Sequence, residues 1–238
     1  MEAFIYGIGL QWKLDLRNKG VLMTYYVVPL VFFCFMGGMF TSINPEAYKT
    51  LIQSMTIFGV TMGAFLGTPA PLVELYGSEM KKAYAVGGIP LWTAALNNFI
   101  SAFLHLMIMS TVILFVAPIA FHATIPEHPG AYLITLMLFV AASLCVGTTL
   151  GLFVKGATKL TMIAQFIFLP SIMVSGIMFP ASMLPKMLQN VGKLLPATWG
   201  YILICSNNFQ FQNMLPLLLI MVVTLLVCTQ RLSKMKID

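Results

Sequence analysis

The chain has 238 residues, of which 59% are hydrophobic and only 8% are charged, and its formal net charge is +6. The apolar residues form six blocks of about 20 residues, the length that crosses the hydrocarbon core of a bilayer. A soluble domain would interleave charged residues at helical or strand spacing, so these numbers exclude one and predict a single all-α membrane domain.

Residues 1–20, ahead of the first block, have the pattern of an amphipathic helix. The apolar side chains recur at helical spacing: Phe4, Ile5, Ile8, Trp12 and Leu16. Charged residues gather after Trp12, whose ring is expected among the lipid headgroups. We therefore predict an interfacial helix on the cytoplasmic face, followed by a six-span bundle over residues 21–231.

The predicted spans alternate between two sides that differ in charge. They cover residues 21–41, 51–73, 94–120, 131–154, 160–179 and 214–229. The connections on one side hold ten of the 13 Lys and Arg residues, and those on the other side hold three. Since basic residues are retained in cytoplasmic segments, both termini are expected in the cytoplasm. The positive charge therefore indicates orientation, and no nucleic-acid partner is expected.

Small residues recur at helical spacing in two spans. The second span carries Gly59, Gly63 and Gly67, and the fourth carries Gly147 and Gly151. Glycine at every fourth position lets helix backbones approach closely in lipid. These residues predict packing faces, either within the chain or across a dimer.

Residues 74–93 form the longest connection on the basic side, and they carry charges of both signs. The candidate functional residues in this segment are Glu74, Gly77, Glu79, Lys81, Lys82 and Tyr84. A short helix of this kind, next to the apolar turn at Gly88, Ile89 and Pro90, can dock into a groove of a separate protein and transmit its movement.

Prolines interrupt the chain between the fifth and sixth spans. They fall at Phe179-Pro180, Leu184-Pro185 and Leu195-Pro196 and break the amphipathic stretch 187–195 into short pieces. Irregular backbone at membrane depth is tolerated only where protein or a cavity shields it. We therefore predict a re-entrant helical hairpin over residues 180–210 that enters from the outer face.

Catalytic motifs are absent from the sequence. It contains no GxxxxGK[ST], HExxH or GxSxG pattern, so no ATP-binding, zinc-protease or serine-hydrolase site is expected. His122 and His128 flank Glu127 in an outer loop, where solvated side chains are a simpler interpretation than a metal site. We expect no catalytic residue, cofactor site or metal site on this chain.

His105 is the one ionisable residue deep inside a predicted span. An ionisable side chain at such a depth is a functional candidate, and a neutral imidazole bonded to a neighbouring helix is the competing interpretation. No Asp, Glu, Lys or Arg falls in the middle of a span. This argues against proton- or sodium-coupled transport and indicates that energy comes from elsewhere.

The segment 168–201, FLPSIMVSGIMFPASMLPKMLQNVGKLLPATWGY, resembles the end of the fifth span and the following hairpin in ABC-2-type transporter permeases. These are the membrane subunits of bacterial drug and antibiotic exporters. The matching positions are Pro170, Ser175, Gly176, Phe179, Pro180, Leu184, Pro185, Leu195, Pro196 and Thr198. Six spans, cytoplasmic termini and the N-terminal helix extend the resemblance over the whole chain. The 74–93 segment matches more loosely.

The resemblance implies a half-transporter in the bacterial plasma membrane. Two copies, or one copy with a sister permease, would pair with two separately encoded ATPase subunits that bind ATP and Mg²⁺. The segment from Glu74 to Tyr84 would couple ATPase closure to the membrane halves. An amphiphilic drug, antibiotic or peptide would leave past the hairpin. Besides Pro170, Gly176 and Pro196, that hairpin offers Phe179, Pro180, Met183, Leu184, Pro185, Met187 and Leu188 as gate residues.

Two further functions stay open at this point. Export of a lipid or a lipid-linked polysaccharide uses the same fold. A membrane-embedded enzyme or an ATPase-independent channel belongs to a different class. An enzyme would need convergent carboxylates, histidines or arginines near one interface, and the best set, Glu74, Glu79, Lys81 and Lys82, has no histidine beside it.

Overall fold

The computed structural model describes residues 2–43, 45–77, 81, 84, 86–178, 180–206 and 211–235. Within these ranges the chain is helical and has no strand, and six of its helices are long and apolar enough to cross a membrane. The chain is thus an all-α membrane protein. The six spans are Lys19–Met39, Leu51–Gly77, Leu91–Phe121, Pro129–Phe153, Ala157–Val174 and Gln212–Ser233.

The spans define two ends of the bundle. The first span begins and the sixth span finishes at one end, which we call the terminal end. The two short helices that follow the fifth span lie at the other, which we call the hairpin end. Charge in the described residues concentrates at the terminal end, as the sequence pattern predicts.

The N-terminal helix, Glu2–Arg17, precedes the first span and packs along the third. It ends at Asn18, whose extended backbone breaks the helix and whose side-chain oxygen accepts hydrogen bonds from the Gly20 and Val21 amides at 3.0 and 3.3 Å. An asparagine cap of this kind satisfies amides that have no partner inside the new helix. The chain therefore turns into the first span at a position that its own sequence specifies.

The first span contains a π-helical segment, Met23–Val27, directly before Pro29. Proline lacks a backbone N–H and cannot continue the regular hydrogen-bond pattern with the preceding turn. The second span contains another π-helical segment, Gly63–Gly67, followed by Pro69. The two segments are in contact, so both irregularities occur at one place in the bundle.

The second span is the centre of the bundle. Every residue of its helix Leu51–Met62 is buried, and 83% of its most apolar stretch lies inside the protein, against 11% for the sixth span. Neighbouring aromatic rings surround it, with Phe58 stacked on Phe32 at 3.9 Å and edge-on to Phe168 at 5.7 Å. The first and sixth spans therefore lie at the periphery.

The third and fourth spans are joined by a short irregular segment at the hairpin end. His122 ends the third span with a left-handed backbone (φ 52°), and Pro129 begins the fourth. The fourth span packs along the sixth and also against the second. The observed bounds extend the predicted spans by a few residues at most connections.

The fifth span ends at Val174, earlier than the predicted end at residue 179. The reason is Gly176, whose φ of 94° takes the backbone out of the helical region; a residue with a side chain adopts such a conformation only at a cost. A 3₁₀ turn (Ala181–Met183) and two short helices, Lys186–Gly192 and Pro196–Cys205, then form the hairpin. The second hairpin helix packs among the second, fourth and sixth spans.

Candidate functional site

The predicted coupling residues lie at the terminal end, where the second span finishes. Glu74 and Gly77 are exposed on the last helical turns of this span, and Lys81 and Tyr84 are half-buried. Burial raises the pKa of the Tyr84 hydroxyl. Glu79 and Lys82 lie outside the described residues.

The structure adds three cations to this group around a cavity of about 860 Å³, which we call the terminal-end cavity. Lys155 comes from the connection between the fourth and fifth spans, and Arg231 and Lys234 come from the end of the sixth. The guanidinium of Arg231 lies 5.2 Å from the centroid of the Phe153 ring, and its Nε donates to the Leu152 carbonyl at 3.4 Å. The cavity thus combines several cations with the Glu74 carboxylate.

The coupling segment is tied to the neighbouring spans by packing and by one hydrogen bond. The hydroxyl of Tyr76 donates to the Leu91 carbonyl at 2.7 Å, which joins the end of the second span to the start of the third. Gly151 of the fourth span faces Leu72 and the Pro69 carbonyl so closely that an added methyl group would lie about 3 Å from both. Movement of the 69–77 helix would therefore displace both neighbours.

The predicted glycine faces all meet other spans of the same chain. Gly59 faces Met109 and Pro29, and Gly63 and Gly67 face Tyr25 of the first span. Gly147 comes closest, because a methyl group built on it would overlap the Ala64 carbonyl oxygen. This contact joins the fourth span to the π-helical segment of the second.

The predicted gate residues divide into buried and exposed groups. Pro196 is buried at the start of the second hairpin helix, and Gly176 lies about 3.3 Å from where its side chain would meet Tyr201. Leu184 is half-buried and its carbonyl accepts from Gln189 at 2.8 Å. The exposed members are Pro170, Pro180, Met183, Pro185, Met187 and Leu188. Phe179 lies outside the described residues.

The exposed gate residues form an apolar surface on the hairpin. Met183 is 74% exposed and Met187 is 78% exposed. Trp199 donates its indole N–H to the Lys193 carbonyl at 2.7 Å, which ties the two hairpin helices together. The hairpin therefore has an ordered polar interior and an apolar surface.

His105 is fully buried in the half of the third span nearer the terminal end, at the centre of a group that we call the polar cluster. The members of this cluster are Gln11, Trp12, Asp15, Tyr25, Tyr26, Thr68, Asn98, Ser101 and His105. The imidazole stacks on the Trp12 ring with a centroid distance of 3.9 Å and an angle of 2°. Its Nδ1 lies 2.7 Å from the Tyr26 hydroxyl, and its Nε2 lies 3.9 Å from Asp15 Oδ2.

Asp15 was not among the candidates from the sequence, although it is buried against the third span. Its carboxylate accepts from Gln11 at 2.8 Å and from Ser101 at 2.5 Å. Burial raises the pKa of Asp15, and these two hydrogen bonds oppose that effect only in part. A usable signal existed in the spacing, because Trp12 and Asp15 share one face of their helix and Ser101 and His105 share one face of theirs.

The polar cluster extends to the π-helical segments of the first and second spans. The Tyr25 and Thr68 hydroxyls are 3.2 Å apart, and the Thr68 carbonyl accepts from the Asn98 side chain at 3.1 Å. Thr68 also donates to the Gly63 carbonyl at 3.2 Å. The cluster therefore joins the N-terminal helix to the three spans next to the coupling segment.

Lowering the pH is expected to stabilise the wild-type protein relative to an Asp15→Asn variant. Because the folded protein holds a proton on Asp15 more readily than the unfolded chain does, stability rises as pH falls through the raised pKa, and the gain is complete below the unfolded value of 3.8. His105 and Tyr25, which also face this site, remain in both proteins. Heat-unfolding midpoints of the two proteins between pH 8 and about pH 4 measure the difference. Parallel midpoints throughout would contradict this assignment.

Across the described ranges, His, Cys, Asp and Glu side chains form no group of three or more that could hold a metal ion. The structure separates His122, at the end of the third span, from Glu127 and His128, which line a cavity at the hairpin end.

Comparison with known proteins gives one match. A family profile described as ABC-2 type transporter matches residues 3–209, which include the N-terminal helix, the first five spans and the hairpin. A search of curated proteins found no match to the chain.

Proposed function

Because the chain belongs to the ABC-2 type transporter family, and is therefore the multi-pass membrane component of an ABC transporter, we propose that it exports an amphiphilic compound. The cargo is a drug, an antibiotic or a peptide, and the membrane is the bacterial plasma membrane. Members of this family work with an ABC ATPase. In our proposal that ATPase is a separate subunit, present in two copies, and it holds the ATP and Mg²⁺.

The observation that carries this proposal is the terminal-end cavity. It gathers Glu74, Gly77 and Lys81 with the cations Lys155, Arg231 and Lys234, from three connections that are far apart in sequence. Within the described ranges none of these four cations forms an ion pair. Such a surface suits a partner that presents acidic and apolar groups together. We assign it as the ATPase docking site.

Movement at the docking site would reach the centre of the bundle through the second span. Its last helix, Pro69–Gly77, carries Glu74 and continues into the π-helical segment Gly63–Gly67. π-Helical turns are frequent at functional sites and bring weaker, rearrangeable hydrogen bonds. This segment is therefore the hinge in our proposal, and the polar cluster holds it against the first and third spans.

The terminal end faces the cytoplasm in this proposal, because it carries most of the basic residues. The hairpin end then faces outward, and its apolar surface around Met183 and Met187 borders the exit path. A second permease, either the same chain or a sister chain, packs against the peripheral spans. These assignments give domain roles to 1–20, 74–93 and 180–210.

Purification of the tagged chain in mild detergent tests the proposal. We expect a soluble ATPase to copurify and ATP hydrolysis to be detectable. Lys81→Glu, alone or with Lys82→Glu, should lower the recovered ATPase about tenfold, because losing two favourable charge contacts at a docking surface costs roughly 1–2 kcal/mol.

Lys186→Glu is the matched control, since it makes the same charge reversal on an exposed residue at the hairpin end. Both variants should insert into the membrane as the wild type does. If the ATPase is recovered equally with the Lys81 and Lys186 variants, the docking assignment is wrong. If none is recovered with the wild type, the choice passes to an ATPase-independent channel.

A further inference from the structure

The hairpin end contains a second cavity, of about 800 Å³, which we call the hairpin-end cavity. Its wall is built from the start of the second span, residues 124–128, the start of the fourth span and the end of the second hairpin helix. A backbone hydrogen bond of 3.1 Å from Thr124 to the Tyr48 carbonyl holds two of these segments together. The volume is typical of sites for small molecules.

The lining of this cavity is rich in hydrogen-bonding groups that lie deep in the wall. Gln53 is 8% exposed, and its amide oxygen has no hydrogen-bond partner among the described residues. Tyr132 and Thr135 are buried beside it, and the Tyr132 hydroxyl is 3.1 Å from the Thr56 hydroxyl. Buried polar groups in folded proteins are normally paired. The free amide oxygen of Gln53 therefore indicates that something with a donor occupies this space.

The charges around the cavity favour a neutral occupant. Lys49 and Glu127 are the charged residues in its lining, and they balance one another. Lys49 is moreover engaged by Glu46 in an ion pair. Deeper in, the polar side chains are amides and hydroxyls, which can both donate and accept. Apolar side chains such as Ile125 and Leu203 complete the wall.

We infer that the hairpin-end cavity binds the neutral, hydroxyl-rich head group of an amphiphile, with a hydroxyl of that head group donating to the Gln53 amide oxygen. Its role as a cargo site rests on the proposed export function, whereas the binding itself does not. The apolar surface of the hairpin is available for the tail of such a molecule. The head group then sits between the second and fourth spans of one chain.

Cys205 offers a direct test because it lines this cavity and is half-buried. Cys145 and Cys228 are buried, and the exposed Cys34 can be replaced by serine. The full chain with its copurified partner, in lipid nanodiscs, is treated with a water-soluble maleimide and the rate of Cys205 labelling is measured. Cys205→Ser identifies the background.

The probes are octyl glucoside and octylphosphocholine, which have the same tail but differ in head-group hydroxyls. Below micelle-forming concentrations, we expect saturating octyl glucoside to slow labelling at least fivefold and octylphosphocholine to leave it unchanged. Gln53→Leu should raise the half-effective glucoside concentration about tenfold, the usual effect of losing a hydrogen bond at a buried site. Thr135→Val, a second variant in the same wall, should raise it about threefold.

Gln230→Leu is the matched control, because it makes the same change on an exposed residue at the terminal end. Equal protection by both amphiphiles, or an unchanged glucoside concentration in both wall variants, would overturn the inference. If selectivity is lost while the ATPase still copurifies, only the cavity assignment fails. Selective protection without any ATPase supports the cavity assignment and contradicts the export function.

Discussion

Replacing Gly147 with valine is expected to disrupt the centre of the bundle and lower the heat-unfolding midpoint in detergent by roughly 10 °C. The new side chain would overlap the carbonyl oxygen of Ala64, which is backbone within the buried π-helical segment of the second span. Overpacking usually costs about 1–3 kcal/mol, and the cost is highest where the neighbour cannot move aside. For a chain of this length each kcal/mol corresponds to about 2–4 °C.

Gly130 is the matched control for this experiment. It lies in the same span, and a side chain added there would meet nothing within 4 Å. Gly130→Val should therefore change the midpoint by about 2 °C or less. Unfolding followed by circular dichroism and the elution profile of the detergent complex measure both variants. A Gly147→Val protein as stable as the Gly130→Val protein would show that the fourth span does not lie this close to the second.

Replacing His105 with alanine is expected to destabilise the protein by about 2–4 kcal/mol and to release the N-terminal helix. The change removes a fully buried ring that stacks on Trp12, and it takes away the partner of the Tyr26 hydroxyl. Truncating a large buried side chain leaves a cavity, and an unpaired buried hydroxyl adds its own cost. Trypsin should then cleave at Arg17 or Lys19 faster than in the wild type.

Two other variants separate the contributions to this effect. Tyr26→Phe removes only the hydrogen bond and should cost about 1 kcal/mol. His122→Ala changes an exposed histidine at the far end of the same span and should leave tryptic cleavage unchanged. Slow cleavage at Arg17 and Lys19 in His105→Ala, equal to that of the wild type, would mean that the N-terminal helix is held by other contacts.

Much of the architecture could be predicted because membrane spans follow from length and hydropathy alone. The six predicted spans correspond to the observed ones, and the chain is an all-α membrane protein. The fifth span was predicted too long, because its apolar composition continues past Gly176 although the backbone conformation there ends the helix. Composition reports which residues tolerate lipid, and it does not report where a helix stops.

The site was predictable only where it is local in sequence. The segment around Glu74 and Lys81 follows from its charge and its position between two spans. The contributions of Lys155, Arg231 and Lys234 to the terminal-end cavity depend on how the fourth and sixth spans pack. Similarly, the position of Asp15 suggested a solvated residue on an interfacial helix, and only the packing of that helix along the third span buries it.

The π-helical segment of the second span also constrains how the length of this span can change. A π-helical turn holds one residue more than an α-helical turn, and each residue of a regular helix turns the chain by about 100°. Deleting one residue from Gly63–Gly67 could restore a regular helix, but it would rotate the Pro69–Gly77 helix by that angle and point Glu74 away from its cavity. The number of residues in this span is therefore set by angular phase as well as by bilayer thickness.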